Sequence, residues 1–257
     1  MFLRRITEHV NAQNWFAVCI DFFIVVVGVF IGIQVANWNE ARSNQALARD
    51  YIGRLATDVE LELALWQRAI DYYSTARDYG QTALDGFAAN PAGLDEQFLI
   101  AVYQASQVWY AAPNRATFDE LQSTGRIVHI RDADLRTALS NHYVRVNQTL
   151  FTLQQTSQYR RIARLHLDHA IQAQIRAECG DRWTTDERNA YYVDFPRTCN
   201  IDIADDLLRE QIAALHANAD VLRELRFHMS VLAAQVGTMN NTKHTGTTTL
   251  QKLREAQ

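Results

Sequence analysis

The sequence predicts an all-α protein in which one N-terminal transmembrane helix continues into an extended antiparallel helical bundle. Only ten Gly and three Pro occur among the 257 residues, which argues against a turn-rich all-β fold. Apolar residues form one long run near the N-terminus. Beyond it they recur every three or four positions, as in amphipathic helices. With 48% apolar and 21% charged residues, the composition is that of a folded protein.

The predicted transmembrane helix covers residues 15–38. The chain is almost wholly apolar from Phe16 to Ala36, and Trp15 and Trp38 bracket this run as membrane-interface residues. At a rise of about 1.5 Å per residue their Cα atoms are roughly 35 Å apart, which fits the hydrocarbon core and the start of each headgroup layer. Because the run is too long for a signal peptide and no small-residue cleavage site follows it, we expect an uncleaved anchor. The alternative is a buried helix of a soluble protein.

One face of this helix carries an acidic residue and two glycines. At about 100° per residue, Gly28 and Gly32 lie roughly 20° to either side of Asp21. The glycines form a G-x-x-x-G element, which lets a second helix approach closely, and a carboxylate at this depth is costly if it faces lipid. We therefore predict that Asp21, Gly28 and Gly32 dock to another transmembrane helix, from a second copy or a larger membrane complex. In the alternative, Asp21 reaches the headgroup region and the glycines are incidental.

The cysteines decide the predicted topology, because the basic residues flanking the span are balanced between its two ends. Cys179 and Cys199 are the only cysteines outside the span, and a disulfide between them would close a loop of about twenty residues. Such a bond forms in an oxidising compartment such as the bacterial periplasm. We expect a short cytoplasmic amphipathic segment, 1–14, and a periplasmic C-terminal domain. Two buried, unpaired thiols are the alternative.

The predicted bundle covers residues 39–240. No linker follows Trp38, so the transmembrane helix is expected to continue as a long amphipathic helix that ends near Asn90-Pro91. A shorter helix is predicted at about 94–109. The apolar positions of the long helix are Leu47, Tyr51, Leu55, Val59, Leu63, Trp66, Ile70 and Tyr73.

Capping signals define the remaining helices. Thr117 and Glu120 have capping-box spacing, Gly125 suits a left-handed C-cap, and "RIVHI" is expected to be a brief extended link. Asp132 is predicted to cap a very long helix that breaks or bends near "QQTSQY". A last helix is expected from Ile203 to about Val236, followed by a polar C-terminal tail, 241–257, whose last ten residues could form a helix.

The loop between the two cysteines is rich in aromatic residues. Trp183, Tyr191, Tyr192 and Phe195 are candidate contacts for a partner, since a disulfide-closed aromatic loop is a common recognition surface. The alternative is that they fold back and cover the end of the bundle.

The sequence contains no recognisable motif for catalysis or cofactor binding. A net charge of −4 provides no basic field for nucleic acid. Phosphate-loop, dinucleotide, G-x-S-x-G and paired C-x-x-C motifs are absent from the sequence. His166 and His169 share a helical face, but without further ligands a solvated or structural role is favoured over a metal site. We expect no enzyme activity, cofactor or metal.

Three segments carry a resemblance to a known family: "RRITEHVNAQNW", "FIVVVGVFIGIQVANWNEAR" and "TFDELQSTGRIVHIRDADLRTALSNHYVRV". Together they resemble a bacterial family of single-pass membrane proteins that is defined only as a domain of unknown function. The resemblance covers most of the chain and implies the anchor and the helical domain, with no catalytic residues.

The leading functional hypothesis is a non-enzymatic, single-pass accessory or scaffold protein of a bacterial inner membrane, whose partners are the lipid bilayer and another transmembrane helix. The alternative is an extracytoplasmic, sensor-like helical bundle that binds a ligand. Only fourteen residues precede Trp15, so such a sensor is expected to signal through a partner.

Overall fold

A computed structural model of the chain describes residues 15–185 and 191–257. The prediction of an all-α protein is confirmed, with one short hairpin added. The predicted cytoplasmic segment 1–14 lies outside the described residues. The elements are α1 (Trp15–Ala88), α2 (Glu96–Gln104), α3 (Ala116–Ser123), α4 (Ala133–Gln154), α5 (Tyr159–His166), α6 (His169–Cys179), β1 (Arg182–Thr185), β2 (Tyr191–Asp194), α7 (Asp205–His216) and α8 (Ala219–Glu255), with 3-10 turns at Pro91–Gly93 and Arg126–His129.

The chain divides after Tyr51 into two compact units. The described part of the first unit is the N-terminal portion of α1. The second unit, Ile52–Gln257, contains the rest of α1 and every other element, and it holds a hydrophobic core. Fully buried core residues include Leu55, Val59, Trp66, Leu99, Leu139, Val146, Leu225, Leu232 and Leu253.

Within the second unit, α8 packs against α1 and α4. Along α8, the partners on α1 appear in reverse order: Met229 adjoins Gly80, Lys243 donates to Gln67, and Arg254 pairs with Glu60 at 2.7 Å. The same reversal occurs on α4. There Gln235 donates to the backbone oxygen of Leu153, Thr242 bonds to Thr149, and Gly246 adjoins His142.

Polar side chains at helix starts explain why two predicted helices are divided. Asp132 caps α4 as predicted, accepting from the backbone N–H groups of Asp134 and Leu135. The long helix then ends at Gln154, at the predicted break near "QQTSQY". Asp168 caps a new helix, α6, by accepting from Ala170 N at 2.7 Å, and Asn218 separates α7 from α8 in the same way. A carboxylate or amide that captures these N–H groups favours a helix start over continuation.

Two local predictions differ from the structure around α3. Asn114, not Thr117, supplies the side-chain oxygen at the start of this helix, accepting from Ala116 N at 3.1 Å, and Thr117 is buried inside the first turn. Gly125 has the predicted left-handed conformation, with φ of 69°. The segment after it forms the 3-10 turn Arg126–His129 rather than an extended link.

The segment 241–257, expected to be a polar tail, continues α8 as far as Glu255 and contributes to the core. Thr242, Thr249 and Leu253 are buried. The hydroxyls of Thr242 and Thr249 bond to the backbone oxygens four residues earlier, which satisfies them inside a helix–helix contact. Small side chains here also permit close approach: a Cβ on Gly246 would lie 2.9 Å from a methyl of Leu63.

His228 joins α8 to the ends of two other helices. Its ring Nε2 lies 2.9 Å from the backbone oxygen of Ala105 and therefore carries the proton, while Nδ1 lies 2.8 Å from the Ser157 hydroxyl and accepts from it. The ring stacks on Tyr159 at 5.0 Å. Burial lowers the pKa of His228, and the hydrogen bond to Ala105 opposes this shift.

The second unit is expected to lose stability as the pH falls below about 6.5, the ordinary pKa of a histidine side chain. Because the folded-state pKa of His228 is lower, the unfolded chain takes up the proton first, and the free energy of unfolding then decreases by up to about 1.4 kcal/mol per pH unit. Urea titrations at neutral and mildly acidic pH measure this slope. His228→Gln keeps an N–H donor and should reduce this dependence of the free energy of unfolding on pH. His244→Gln, at an exposed position of the same helix, should not. Equal slopes in the wild type and His228→Gln would contradict the assignment.

Candidate functional site

The three predicted docking residues lie on the first part of α1, where the surface is open. Asp21 is exposed, and a Cβ built on Gly28 or Gly32 would have no described atom within 4 Å. The two glycines therefore leave a shallow strip of backbone on the helix surface. No described residue covers this strip.

The same part of α1 exposes an apolar surface. Phe16, Phe22 and Phe23 are 73%, 70% and 68% exposed. Among the described residues, α1 is the one helix long and apolar enough to cross a membrane, with a mean hydropathy of 2.6 in a window that the structure does not bury. Of the predicted interface residues, Trp15 begins the helix. Trp38 is 65% exposed, with the Arg42 guanidinium 5.8 Å from its ring centroid.

The predicted disulfide between Cys179 and Cys199 is present, while Cys19 is an exposed free thiol. Helix α2 holds both half-cystines. The side-chain amide of Gln104 donates to the Cys179 backbone oxygen at 2.6 Å, and that of Gln97 donates to the Cys199 backbone oxygen at 3.0 Å. Spaced seven residues apart, the two glutamines share one face of α2.

The disulfide-closed loop folds as the hairpin β1–β2, and its aromatic residues have different environments. Trp183 is 67% exposed and remains available to a partner. The Arg68 guanidinium lies over the Tyr192 ring, 4.1 Å from the ring centroid. Phe195 is buried against Tyr72 at 4.7 Å, so it covers the helices, as in the alternative considered for this loop. Tyr191 begins β2, and residues 186–190 lie outside the described chain.

Next to the disulfide, Tyr72 donates to the carboxylate of Asp181, with oxygen–oxygen distances of 3.2 and 3.1 Å. Burial raises the pKa of Asp181, while the hydrogen bond from Tyr72 lowers it. Burial also raises the pKa of Tyr72, and the negative charge of Asp181 adds to this. The pair links α1 to the start of the hairpin.

A buried polar cluster lies between α1 and α4. The side chain of Glu62 is 1% exposed, and its Oε1 accepts from the indole N–H of Trp66 at 2.7 Å. His142 Nε2 lies 3.1 Å from the same oxygen but is not aligned for a hydrogen bond. The second oxygen of Glu62, Oε2, has no hydrogen-bond partner among the described residues.

A second carboxylate lies one helical turn before Glu62. Asp58 Oδ1 accepts from the Asn114 side chain at 3.0 Å, while Oδ2 has no partner among the described residues. Burial raises the pKa of the nearby Tyr143 hydroxyl, and the charges of Glu62 and Asp58 raise it further, against the opposing effect of Arg115. The cluster therefore carries a negative electrostatic potential in a poorly solvated place.

A cavity of about 380 Å³ adjoins this cluster. Its lining includes Glu62 and Asn114, together with three aromatic side chains, Trp109, Tyr110 and Trp183. Tyr110 and Trp183 are 71% and 67% exposed, so they form an accessible aromatic wall, while Trp109 is buried. The size and mixed lining are those of a small-molecule site.

Sequence reasoning did not identify this cluster and named only Trp183 of the cavity wall. One signal was available: Asp58, Glu62 and Trp66 are spaced by four and share the helix face that carries Leu55 and Val59. Acidic residues on a buried face require partners. The described residues contain no group of three or more His, Cys, Asp or Glu side chains able to hold a metal ion.

Comparisons of the chain with protein-family models, curated proteins and solved structures give no match.

Proposed function

We propose that the protein is a non-enzymatic, single-pass accessory or scaffold protein of a bacterial inner membrane that docks to partner membrane helices. The exposed apolar surface of α1 carries the proposal, because soluble proteins rarely leave such a long apolar face in water, whereas a bilayer would cover it. The resemblance to a family of single-pass membrane proteins agrees with this assignment and is itself still a prediction.

In this proposal the N-terminus is cytoplasmic and the domain that follows residue 38 is periplasmic, organised as an extended antiparallel bundle. The disulfide supports an oxidising compartment. The reversed order of contacts between α8 and its neighbours supports the antiparallel arrangement.

Topology is tested with a reporter fusion. A phosphatase fused after Gln257 should be active in intact cells, and the protein should stay in the membrane fraction after alkaline extraction. An active cytoplasmic reporter at the same position, beside an inactive phosphatase, would reverse the orientation. Release by alkaline extraction would remove the membrane anchor from the proposal.

Docking is assigned to the face of Asp21, Gly28 and Gly32, and the proposed occupant is another transmembrane helix. The open space over both glycines supports this, since leucine at either position would separate two helices in contact. Gly28→Leu and Gly32→Leu should each weaken association in a membrane two-helix reporter assay. Phe30→Leu, on the opposite face, should not, and equal association in all three variants would refute the docking face.

A ligand-binding, sensor-like role is the second candidate, favoured by the cavity beside Glu62. The two candidates are separated by purifying the full chain from its own membrane in mild detergent. A stoichiometric membrane partner favours the accessory role. Recovery of the protein alone, with a small molecule bound to the helical domain, favours the sensor role.

A further inference from the structure

We propose that the cavity beside Glu62 binds a small organic ligand with a primary ammonium group, which Glu62 recognises and the nearby charge of Asp58 favours. This inference rests on the ligand-binding candidate function and names the chemical class of its ligand. It combines three observations: two buried carboxylates with unpartnered oxygens, an adjoining cavity, and an aromatic wall.

The carboxylates define the charge of the ligand. Glu62 lines the cavity with its side chain almost fully buried, and Asn114, which also lines it, holds Asp58. Each carboxylate uses one oxygen in a hydrogen bond from a neutral donor and leaves the other without a partner among the described residues. A buried anion in this state is costly unless a cation joins it. A ligand ammonium would supply both the charge and the missing N–H donors.

The cations already present leave Glu62 Oε2 and Asp58 Oδ2 without a hydrogen-bond donor among the described residues. Arg115 donates to Asn147 and Asp119, and its guanidinium lies over the Tyr143 ring at 5.5 Å. Arg68 also lines the cavity, and its guanidinium stacks on the Tyr192 ring. His142 Nε2 lies 3.1 Å from Glu62 Oε1 and forms an ion pair with it when the ring is protonated, but this contact leaves Oε2 without a donor.

The aromatic wall suits a cation with an apolar body. Aromatic faces attract ammonium groups and cover apolar surface at the same time. A primary ammonium is favoured over a quaternary one because the unpartnered carboxylate oxygens require N–H donors. A metal ion is a poorer occupant, since the described residues hold no suitable group of ligands.

A larger cavity of about 570 Å³ near His228 is lined by Arg160, Arg161 and Arg164, and this positive charge does not suit an ammonium ligand. Of the arginines that line it, Arg160 donates to the Ser106 backbone oxygen at 2.7 Å, and Arg164 donates to Gln107 at 2.9 Å. These two hydrogen bonds hold the segment after α2.

The test measures binding of three probes to the full chain in mild detergent by titration calorimetry at neutral pH. They share a phenyl ring and differ in charge: 2-phenylethylamine, 2-phenylethanol and 3-phenylpropionate. The amine should bind, and the neutral and anionic probes should bind at least about tenfold more weakly. Glu62→Gln retains the acceptor for Trp66 and removes the charge, so it should weaken amine binding about tenfold or more.

Two further variants separate binding from folding. Glu60→Gln makes the same change at the outward-facing pair with Arg254 and should leave amine affinity unchanged. Trp183→Ala, at an exposed position, should weaken amine binding about three- to tenfold without loss of structure. Comparable binding of the neutral or anionic probe, or unaltered amine binding in Glu62→Gln, would overturn the ammonium assignment and leave a ligand site in place. If none of the three probes binds the wild type, the ammonium site and the ligand-binding candidate both fail.

Discussion

Trp66→Ala is expected to lower the free energy of unfolding of the helical domain by about 3 to 5 kcal/mol. Trp66 has no exposed surface, so truncation removes its buried contacts and leaves a cavity. It also removes the N–H donor at 2.7 Å from Glu62, which would leave both oxygens of a buried carboxylate without a hydrogen-bond donor. Urea titration of the full chain in mild detergent, followed by far-ultraviolet circular dichroism, measures the loss.

The matched control is Trp183→Ala, the same truncation at a position that is 67% exposed. Its effect on stability should stay within about 0.5 kcal/mol. Trp66→Phe separates the two contributions, because it preserves most of the buried ring and removes only the donor. Similar losses for Trp66→Ala and Trp183→Ala would mean that Trp66 is not a core residue.

The helical organisation could be predicted because the buried face of a helix requires an apolar residue every three or four positions, and this spacing is visible in the sequence. Leu55, Val59 and Trp66 were placed on the apolar face of α1 by their spacing alone, and all three are fully buried. Asp132 and Gly125 were identified as capping positions from the preferences of their residue types, and the structure agrees. The disulfide followed from the count and location of the cysteines.

The end of α8 could not be predicted from hydrophobicity. A run rich in Thr, Asn and Gly resembles a solvated tail, but threonine hydroxyls can bond to their own helix backbone and become buried. Whether they do so depends on the surface that α1 and α4 present. Thr149 on α4 meets Thr242 at 2.6 Å, a contact between residues 93 positions apart. No local pattern encodes such a pairing.

The candidate ligand site was missed for a related reason. Glu62 lies within "DVELELALW", where alternating acidic residues resemble the solvated side of an amphipathic helix. Glu60 does lie outward and pairs with Arg254, whereas Glu62 is buried beside His142. Glu60 and Glu62 differ in burial because they point in different directions around α1 and because α4 packs on the side of Glu62. The packing partners are known only from the assembled fold.

Loss of the disulfide is expected to lower the free energy of unfolding of the helical domain by about 3 kcal/mol. The bond closes a loop with a sequence separation of 20 residues, and without it the unfolded chain gains the conformational freedom of that loop. Cys179→Ser and Cys199→Ser should have similar effects, measured by the same urea titration. Reduction of the wild type should reproduce them.

Cys19→Ser is the control, since Cys19 is free and belongs to the first unit. Reductant should have no effect on either disulfide variant. Part of the hairpin should keep its place after reduction, because Gln97 and Gln104 still bond to the backbone of both former half-cystines and Phe195 remains packed on Tyr72. The loss should therefore come mainly from the unfolded state. A fall in stability with little change in the near-ultraviolet circular dichroism of the folded protein would agree with that origin. A collapse of the aromatic signal on reduction would show instead that the bond holds the hairpin in place.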